Sequence, residues 1–262
     1  MTIKTKKSLG QNFLIDNNIL NKITSLTKIN EMNILEVGPG SGNLTSQIIK
    51  KKPKKFYVIE KDNNLCSILK KNFDNQIEII NEDILKVEEN SISKEKLIVF
   101  GNLPYNISTE IICNWITNLK EKIWFSELIL MFQKEVADRI IAKYNTSQYG
   151  RLSIFSQWRL NIKKLFDVNP NSFSPQPKVF STLLHFSPKL KYYNLNSPKS
   201  LEFITRTFFN QRRKMIKNPL RQLFKNYIEI SKKLNIDIDQ RPQNLTIETY
   251  LKITNEYEKL RN

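Results

Sequence analysis

The chain of 262 residues can bury one large hydrophobic core, or one core together with a small second domain. Its two cysteines, Cys66 and Cys113, are too few for a disulfide framework or a zinc site, and the single histidine, His185, argues against histidine-dependent hydrolases and metal centres. The formal net charge of +17 favours a polyanionic partner such as a nucleic acid.

Short apolar runs alternate with amphipathic segments through the first half of the chain, a pattern typical of a parallel sheet with helices on both faces. The predicted strands, in chain order, are Ile34–Val37, Phe56–Ile59, Ile77–Ile80, Leu97–Phe100 and Glu127–Phe132. The helices predicted between and after them cover residues 44–51, 64–72, 109–118 and 134–143. Leu165–Val168 and Ser181–Phe186 are predicted to close the sheet as an antiparallel pair.

The character of the chain changes near residues 187–200, where the proline and asparagine residues are typical of a linker. Beyond this stretch the sequence predicts helices over residues 201–209, 220–227 and 247–260 and no strand. We therefore expect an α/β domain over residues 1–190 and a small all-α domain over residues 191–262.

A glycine-rich turn, Glu36-Val37-Gly38-Pro39-Gly40-Ser41-Gly42, follows the first predicted strand. Glycines there allow a tight turn and close approach by a ligand, although the spacing departs from the dinucleotide fingerprint and no P-loop lysine follows. Glu60 closes the second strand, where an acidic side chain can accept hydrogen bonds from ribose hydroxyls. Asp83 follows the third strand and can accept a hydrogen bond from an adenine amine. The three motifs together indicate a nucleoside cofactor.

The tetrapeptide Asn102-Leu103-Pro104-Tyr105 comes directly after the apolar run Leu97–Gly101, at the carboxyl end of a predicted strand. This edge of an open α/β sheet is where ligands bind. The Asn102 side-chain oxygen can accept a hydrogen bond from an exocyclic amine, the proline position offers only a carbonyl, and Tyr105 offers a ring for stacking. These groups suit a planar base that carries an amine. The alternative is an ordinary strand-to-turn junction with a packed tyrosine.

The ordered motifs Glu36–Gly42, Glu60, Asp83 and Asn102–Tyr105 resemble those of class I S-adenosylmethionine-dependent methyltransferases. Longer strings narrow the resemblance to the small-subunit ribosomal RNA adenine dimethyltransferase family, and these strings are Leu9–Leu14, Gly101–Ser108, Phe132–Val136, Phe173–Val179 and Phe209–Lys214. The resemblance implies a Rossmann-like sheet, mostly parallel with a closing antiparallel pair, and a small all-α C-terminal domain.

The resemblance also implies that the chain binds S-adenosylmethionine and transfers its methyl group to N6 of adenine. The implied cofactor contacts are Gln11, Asn12, Leu14, Gly38, Gly40, Glu60, Lys61, Asp83, Ile84 and Asn102. The implied catalytic residues are Asn102, Leu103, Pro104, Tyr105 and Phe173. In this interpretation the Asn102 side-chain oxygen and the Pro104 carbonyl accept hydrogen bonds from N6. Tyr105 stacks on the base, and Phe173 covers its other face.

The basic charge is concentrated toward the C-terminus, since residues 181–262 carry 16 basic and 7 acidic side chains, a net charge of +9. The basic residues predicted to contact RNA phosphates are Arg212, Arg213, Lys214, Lys217 and Arg221. The alternative is that this cluster of charges is only a solvated helix face. By resemblance, the partner is small-subunit ribosomal RNA or the assembling 30S subunit. The expected targets are two adjacent adenosines near the 3′ end of that RNA, each dimethylated.

Three alternatives stay open from the sequence. A large-subunit ribosomal RNA adenine methyltransferase of the macrolide-resistance type shares a similar tetrapeptide, and a non-catalytic RNA-binding assembly or transcription factor could keep the fold. A DNA or protein-amide methyltransferase usually has proline at the position of Leu103. No apolar run is long enough to span a membrane and the N-terminus lacks the apolar stretch of a secretory signal, so we expect a cytoplasmic protein. We also expect it to be a monomer that binds no metal.

Overall fold

A seven-stranded sheet forms the centre of the computed structural model, which describes residues 11–119 and 123–261. Its parallel strands are β2 (Asn33–Val37), β3 (Lys55–Ile59), β4 (Glu78–Ile80), β5 (Leu97–Asn102) and β6 (Phe125–Gln133). The same sheet continues with β7 (Leu160–Val168) and β9 (Ser181–Pro188). A separate small sheet pairs β1 (Phe13–Leu14) with β8 (Phe173–Ser174).

The strand order is β4-β3-β2-β5-β6-β9-β7, and β9 runs antiparallel to β6. This order confirms the predicted α/β fold, with a mostly parallel sheet and the two closing strands side by side. The strand order reverses between β2 and β5, because β3 lies on one side of β2 and β5 on the other. Ligands bind at such a switch point, outside the carboxyl ends of the strands.

The central strands are apolar because helices cover both faces of a parallel sheet. All five residues of β2 are buried, and one of them is the carboxylic acid Glu36. At the antiparallel side of the sheet, Nε2 of His185 on β9 lies 3.1 Å from Oε2 of Glu127 on β6. The only histidine of the chain therefore has the structural place in a strand that its sequence pattern predicts.

Within the described residues up to 141, six α-helices accompany the strands: α1 (Asn17–Thr24), α2 (Asn43–Ile49), α3 (Asn63–Phe73), α4 (Glu89–Ile92), α5 (Ser108–Thr117) and α6 (Lys134–Ile141). The sequence predicts α2, α3, α5 and α6 with ends that differ by at most two residues. It misses α1, which begins after Asp16, whose side chain accepts hydrogen bonds from the N–H groups of Asn18 and Ile19.

The chain forms two compact units. The first ends at Ala137 and resumes over Ile162–Pro188, whereas the second consists of Asp138–Asn161 and the residues from Lys189 onward. The sequence predicts a single boundary near residue 190. The difference arises because helix α7 (Arg151–Arg159) packs against two later helices, α8 (Pro198–Phe209) and α11 (Ile247–Lys259).

The second unit is helical, and one predicted helix in it is wrong. The sequence predicts one helix over residues 220–227, but the structure has α9 (Lys217–Leu223) and α10 (Tyr227–Lys233) with a break between them. The break begins at Phe224, whose backbone is extended and whose side chain is buried. Burial of that ring takes the backbone out of the helix. Among the residues described, no helix is both long and apolar enough to cross a membrane.

Candidate functional site

A cavity with about 600 Å³ of empty space lies at the carboxyl edge of β2, β3 and β5. It is lined by Gln11, Asn12, Phe13, Gly38, Gly40, Glu60, Lys61, Leu65, Asn102, Leu103, Pro104 and Tyr105. Most of the predicted site residues therefore come together at the predicted sheet edge. The sequence analysis did not predict Phe13 or Leu65 as site residues, although Phe13 lies within the motif Leu9–Leu14.

The glycine turn after β2 adopts backbone angles that other residues rarely take. Gly38 and Gly40 have φ values of +69° and +57°. The N–H of Gly38 donates to the Ile59 carbonyl over 3.0 Å, which joins the turn to the end of β3. A Cβ atom on Gly40 would lie 2.7 Å from the Phe13 ring, so only glycine lets that ring close over the turn.

Glu60, the residue after β3, presents a buried carboxylate to the cavity. Its Oε1 accepts from the N–H of Asp62 over 2.9 Å and its Oε2 accepts from the N–H of Gly40 over 3.3 Å. Burial raises the pKa of Glu60, and the backbone donors partly offset that rise. The backbone N–H of Lys61 is a third donor. Because a carboxylate has about four acceptor sites, these backbone hydrogen bonds still leave room for a ligand hydroxyl.

Asp83 is adjacent to this cavity but does not line it. Its Oδ2 lies 2.7 Å from Nζ of Lys61, which does line the cavity, and its Oδ1 accepts from the N–H of Leu85. The hydrogen bond from Lys61 lowers the pKa of Asp83. Ile84 is buried directly after it. The predicted acceptor for an adenine amine is therefore paired with a lysine at the edge of the cavity.

Asn102 is the last residue of β5, and its side chain has a fixed orientation. Its Nδ2 donates to the Asn12 carbonyl over 2.8 Å. The amide oxygen Oδ1 is thereby the end that is left to accept a hydrogen bond, as the sequence predicts. The contact also ties the N-terminal segment to the sheet edge.

The structure corrects the role predicted for the Pro104 carbonyl. That oxygen accepts from the N–H groups of Ile107 and Ser108, over 3.1 and 2.9 Å, in the turn that leads into α5. Both of its lone pairs are thus used inside the protein. Within the described ranges, no donor reaches the carbonyl of Leu103, and this residue lines the cavity. The free backbone acceptor next to Asn102 is therefore Leu103.

Tyr105 lines the cavity with a half-buried ring. Its hydroxyl shares a hydrogen bond with the hydroxyl of Ser181, the first residue of β9. Burial raises the pKa of the phenol above its ordinary value of 10.0, so the group stays protonated at neutral pH. Sequence reasoning missed Ser181, because nothing in the local pattern connects positions 105 and 181.

Phe173 and Leu14 are not brought into this cavity. Phe173 is 3% exposed and Leu14 is 5% exposed, and they face each other across the β1–β8 pair inside the apolar cluster. The backbone carbonyl of Leu14 accepts a hydrogen bond from Asn43 Nδ2 over 2.8 Å, which joins β1 to the start of α2. Leu9 and Gly10, which belong to the same predicted string, lie outside the described residues.

A second cavity, with about 430 Å³ of empty space, lies beneath the glycine turn. Glu36, Asn43 and Asn102 line it together with apolar side chains. Thr45 Oγ1 donates to Oε2 of Glu36 over 2.7 Å. Burial raises the pKa of Glu36 to about 8, so this side chain is mainly a neutral acid at pH 7.

The predicted RNA-binding residues all lie in the second unit. Arg212 is half-buried, donates to the Ser147 carbonyl and lies 5.8 Å from the centre of the Phe209 ring. Arg213 and Lys214 are exposed in the turn that follows. Lys217 and Arg221 are exposed on α9, four residues apart and hence on one helix face. In the described part of the chain, no cluster of His, Cys, Asp and Glu could hold a metal ion.

Comparison with known proteins gives a consistent result. Residues 2–259 match the family model for ribosomal RNA adenine dimethylase. The chain is 59% identical over 261 residues to ribosomal RNA small subunit methyltransferase A of Pelagibacter ubique (strain HTCC1062), with 100% of both chains covered.

Two solved structures are similar along nearly their full length. A dimethyladenosine transferase from Plasmodium falciparum aligns with a TM-score of 0.81 and 28% identity, covering 94% of this chain and 98% of that one. The 23S rRNA methyltransferase ErmE aligns with a TM-score of 0.68 and 21% identity, covering 96% of this chain and 100% of that one. The similarity to ErmE shows a shared fold only.

Proposed function

Because the chain belongs to the ribosomal RNA adenine dimethylase family, we propose that it transfers methyl groups from S-adenosylmethionine to N6 of adenosines in small-subunit ribosomal RNA. The observation that carries this proposal is the oriented amide of Asn102, whose Oδ1 is left as an acceptor beside the cavity that Gly38, Gly40 and Glu60 also line. The 59% identity to a small-subunit enzyme favours that substrate over large-subunit RNA, for which only the fold is similar.

The lining of the cavity fits S-adenosylmethionine. The glycine turn allows close approach of the ligand, and the partly satisfied carboxylate of Glu60 would accept hydrogen bonds from the ribose hydroxyls. Asp83 would accept from the adenine amine once Lys61 moves aside. Gln11 and Asn12 would close the site from the N-terminal side. When bound, S-adenosylmethionine supplies an electrophilic methyl group.

The acceptors next to this cavity address the main difficulty of the reaction. The N6 lone pair of adenine is delocalised into the ring, so the amine is planar and a weak nucleophile. Asn102 Oδ1 and the Leu103 carbonyl would both accept hydrogen bonds from N6 and favour a tetrahedral nitrogen. These hydrogen bonds strengthen as positive charge develops on N6, so they stabilise the transition state more than the ground state.

The target base must leave its helix, or already be unpaired, to reach these acceptors. Tyr105 would stack on it, a contact worth about 1–3 kcal/mol per base. A role for Phe173 over the second face would require its ring to leave the apolar cluster. By family resemblance, the targets are two adjacent adenosines near the 3′ end of the RNA. We further propose that a cytoplasmic monomer acts on them in the assembling 30S subunit.

Mass spectrometry of ribosomal RNA treated with the purified protein and labelled S-adenosylmethionine tests the proposal. We expect dimethyladenosine in small-subunit RNA, and far less of it after the same reaction time with the Asn102→Ala variant. Label confined to large-subunit RNA would favour the macrolide-resistance type of enzyme. If neither RNA carries label, the chain is a non-catalytic binding factor.

A further inference from the structure

A short loop in the second unit has a fixed backbone although its side chains are exposed. This loop, residues 143–148, connects α6 to α7, and we refer to it as the 143–148 loop. At its centre Asn145 has a φ value of +67°. The N–H of Asn145 donates to the Gln243 carbonyl over 2.8 Å, and its Oδ1 accepts from Asn244 Nδ2 over 2.8 Å. Thr146 Oγ1 donates to the Lys143 carbonyl over 2.6 Å and closes the turn.

Both ends of the loop are also anchored. Before it, Gln157 Nε2 donates to the carbonyls of Ile140 and Ala142, over 2.9 and 3.0 Å. After it, Tyr149 is fully buried, and its ring lies edge-on to Phe209 with centroids 6.3 Å apart. Because the loop is held at its centre and at both ends, its backbone has little conformational entropy left to lose when the loop binds a partner.

Tyr144 is the aromatic side chain that this loop exposes. It is 49% exposed, among the large apolar side chains that the fold leaves in solvent. Lys143 precedes it and is exposed as well. An exposed ring on a rigid loop is a suitable platform for a nucleobase, because every base has a face that can stack.

The 143–148 loop is joined directly to the basic segment Arg212–Lys214. Arg212 donates to the Ser147 carbonyl, and the exposed side chains of Arg213 and Lys214 follow it. Neither segment contains an acidic residue. The loop that carries the exposed ring and the segment that carries the cations are therefore in direct contact within the second unit, although they are far apart in the sequence.

We propose that these two segments dock ribosomal RNA, with Tyr144 stacked on an unpaired base while Lys143, Arg213 and Lys214 contact the flanking phosphates. The partner follows from charge complementarity combined with stacking, since cations with no acidic residue between them favour a polyanion and the ring adds affinity that salt does not screen. The inference rests on the proposed function, which supplies RNA as the substrate, and adds a point of RNA contact within the second unit.

Binding of small-subunit ribosomal RNA at several salt concentrations tests this proposal. Tyr144→Ala should weaken binding about tenfold without changing the dependence of log Kd on log salt, because stacking releases no counterions. Tyr144→Trp should keep the affinity of the wild type. Lys214→Gln should instead reduce the salt slope by roughly the one phosphate contact it removes.

Ile228→Ala is the matched control, because Ile228 is 41% exposed in the same unit but lies beside Glu229. It should bind RNA like the wild type. An unchanged Kd for Tyr144→Ala would overturn the proposal. So would a loss seen with assembled subunits but not with purified RNA, since the contact would then be to a ribosomal protein. The proposed function is judged separately, by whether the wild-type protein methylates RNA.

Discussion

The amide of Asn102 can serve as an acceptor toward a base in only one of its two orientations, and the neighbouring chain decides which. Because Nδ2 donates to the Asn12 carbonyl, Oδ1 is the end left for the ligand. Two residues further on, backbone donors occupy the Pro104 carbonyl, and the free carbonyl is that of Leu103. The residue types at this site can be read from the sequence. The direction of the Asn102 oxygen depends on the contact with Asn12, and the occupation of the Pro104 carbonyl depends on the turn into α5.

Replacement of Asn102 by alanine should therefore reduce kcat by roughly 10²- to 10³-fold, the loss seen when one preorganised transition-state contact is removed. Affinity for RNA should stay within about twofold of the wild type, because stacking and phosphate contacts remain. Single-turnover methylation and a filter-binding assay measure the two quantities. A near-normal rate in the variant would exclude the role assigned to Asn102.

The hydrogen bond between Tyr105 and Ser181 gives a second prediction at this scale. Ser181→Ala and Tyr105→Phe each remove the same contact, so each should lower kcat/KM by about 3- to 10-fold, as expected for a hydrogen bond worth about 1 kcal/mol. The double variant should be no worse than either single variant.

Tyr105→Ala serves as the comparison, because it also removes the ring and should cost about 1–3 kcal/mol more. Additive losses in the double variant would mean that Ser181 does not act through Tyr105. Thermal unfolding of each variant separates a loss of positioning from a loss of stability.

At the scale of elements, β2 and α2 are joined by a buried contact with electrostatic consequences. Glu36 on β2 accepts a hydrogen bond from Thr45 on α2, and burial raises the pKa of Glu36 to about 8, from 4.5 in an exposed state. Between these two pH values the unfolded chain loses the proton while the folded chain keeps it. The contribution of Glu36 to stability is complete below pH 4.5 and is lost as the pH rises toward 8.

Between pH 4.5 and pH 8, ionisation of Glu36 should lower the free energy of unfolding of the wild type by about 1.4 kcal/mol per pH unit. The Glu36→Gln variant should lack this pH dependence. Urea unfolding of both proteins from pH 5 to pH 9 measures the difference in slope. Glu31→Gln, at an exposed position, is the control and should follow the wild type. Parallel curves for the wild type and Glu36→Gln would show that Glu36 is ionised in the folded protein.

Most elements of the parallel sheet were predictable, because buried strands such as β2 and β5 are continuous apolar runs. The β1–β8 pair was not, since strands of two residues have no periodicity to detect. The break at Phe224 depends on a side chain that the second unit buries, and local helix propensity does not report such burial. The burial of Phe173 in the apolar cluster was not predictable for the same reason, because its local sequence motif does not report which side chains the fold buries.

For the whole molecule, the net charge of +17 matters through its distribution. Lysines 50–52 lie at the end of α2 and in the loop before β3, at the sheet edge opposite the carboxyl ends where the cavity lies. Lys217 and Arg221 lie on one face of α9 in the second unit. Removal of two charges at each of these places should have unequal effects on RNA binding, because only charges near phosphates release counterions.

The double variant Lys217→Gln/Arg221→Gln should lower the slope of log Kd against log salt by about 1.8, from roughly 0.9 per duplex phosphate contact. Its affinity for S-adenosylmethionine, measured by calorimetry, should match the wild type. Lys51→Gln/Lys52→Gln removes the same charge and should leave the slope unchanged. If both double variants shift the slope equally, RNA binding depends on total charge rather than on the α9 face.

The division of the second unit into two stretches of sequence limits how such proteins can exchange parts. Helix α7 carries Ile154, Phe155 and Trp158 as buried side chains. It packs against α8 and α11, which begin 39 and 88 residues after its last residue. A single recombination event near residue 190 would join α7 from one parent to α8 and α11 from another and mismatch that apolar interface. Both segments of this unit must therefore come from one parent, and a working chimaera that exchanges the unit needs three crossovers, near residues 137, 161 and 188.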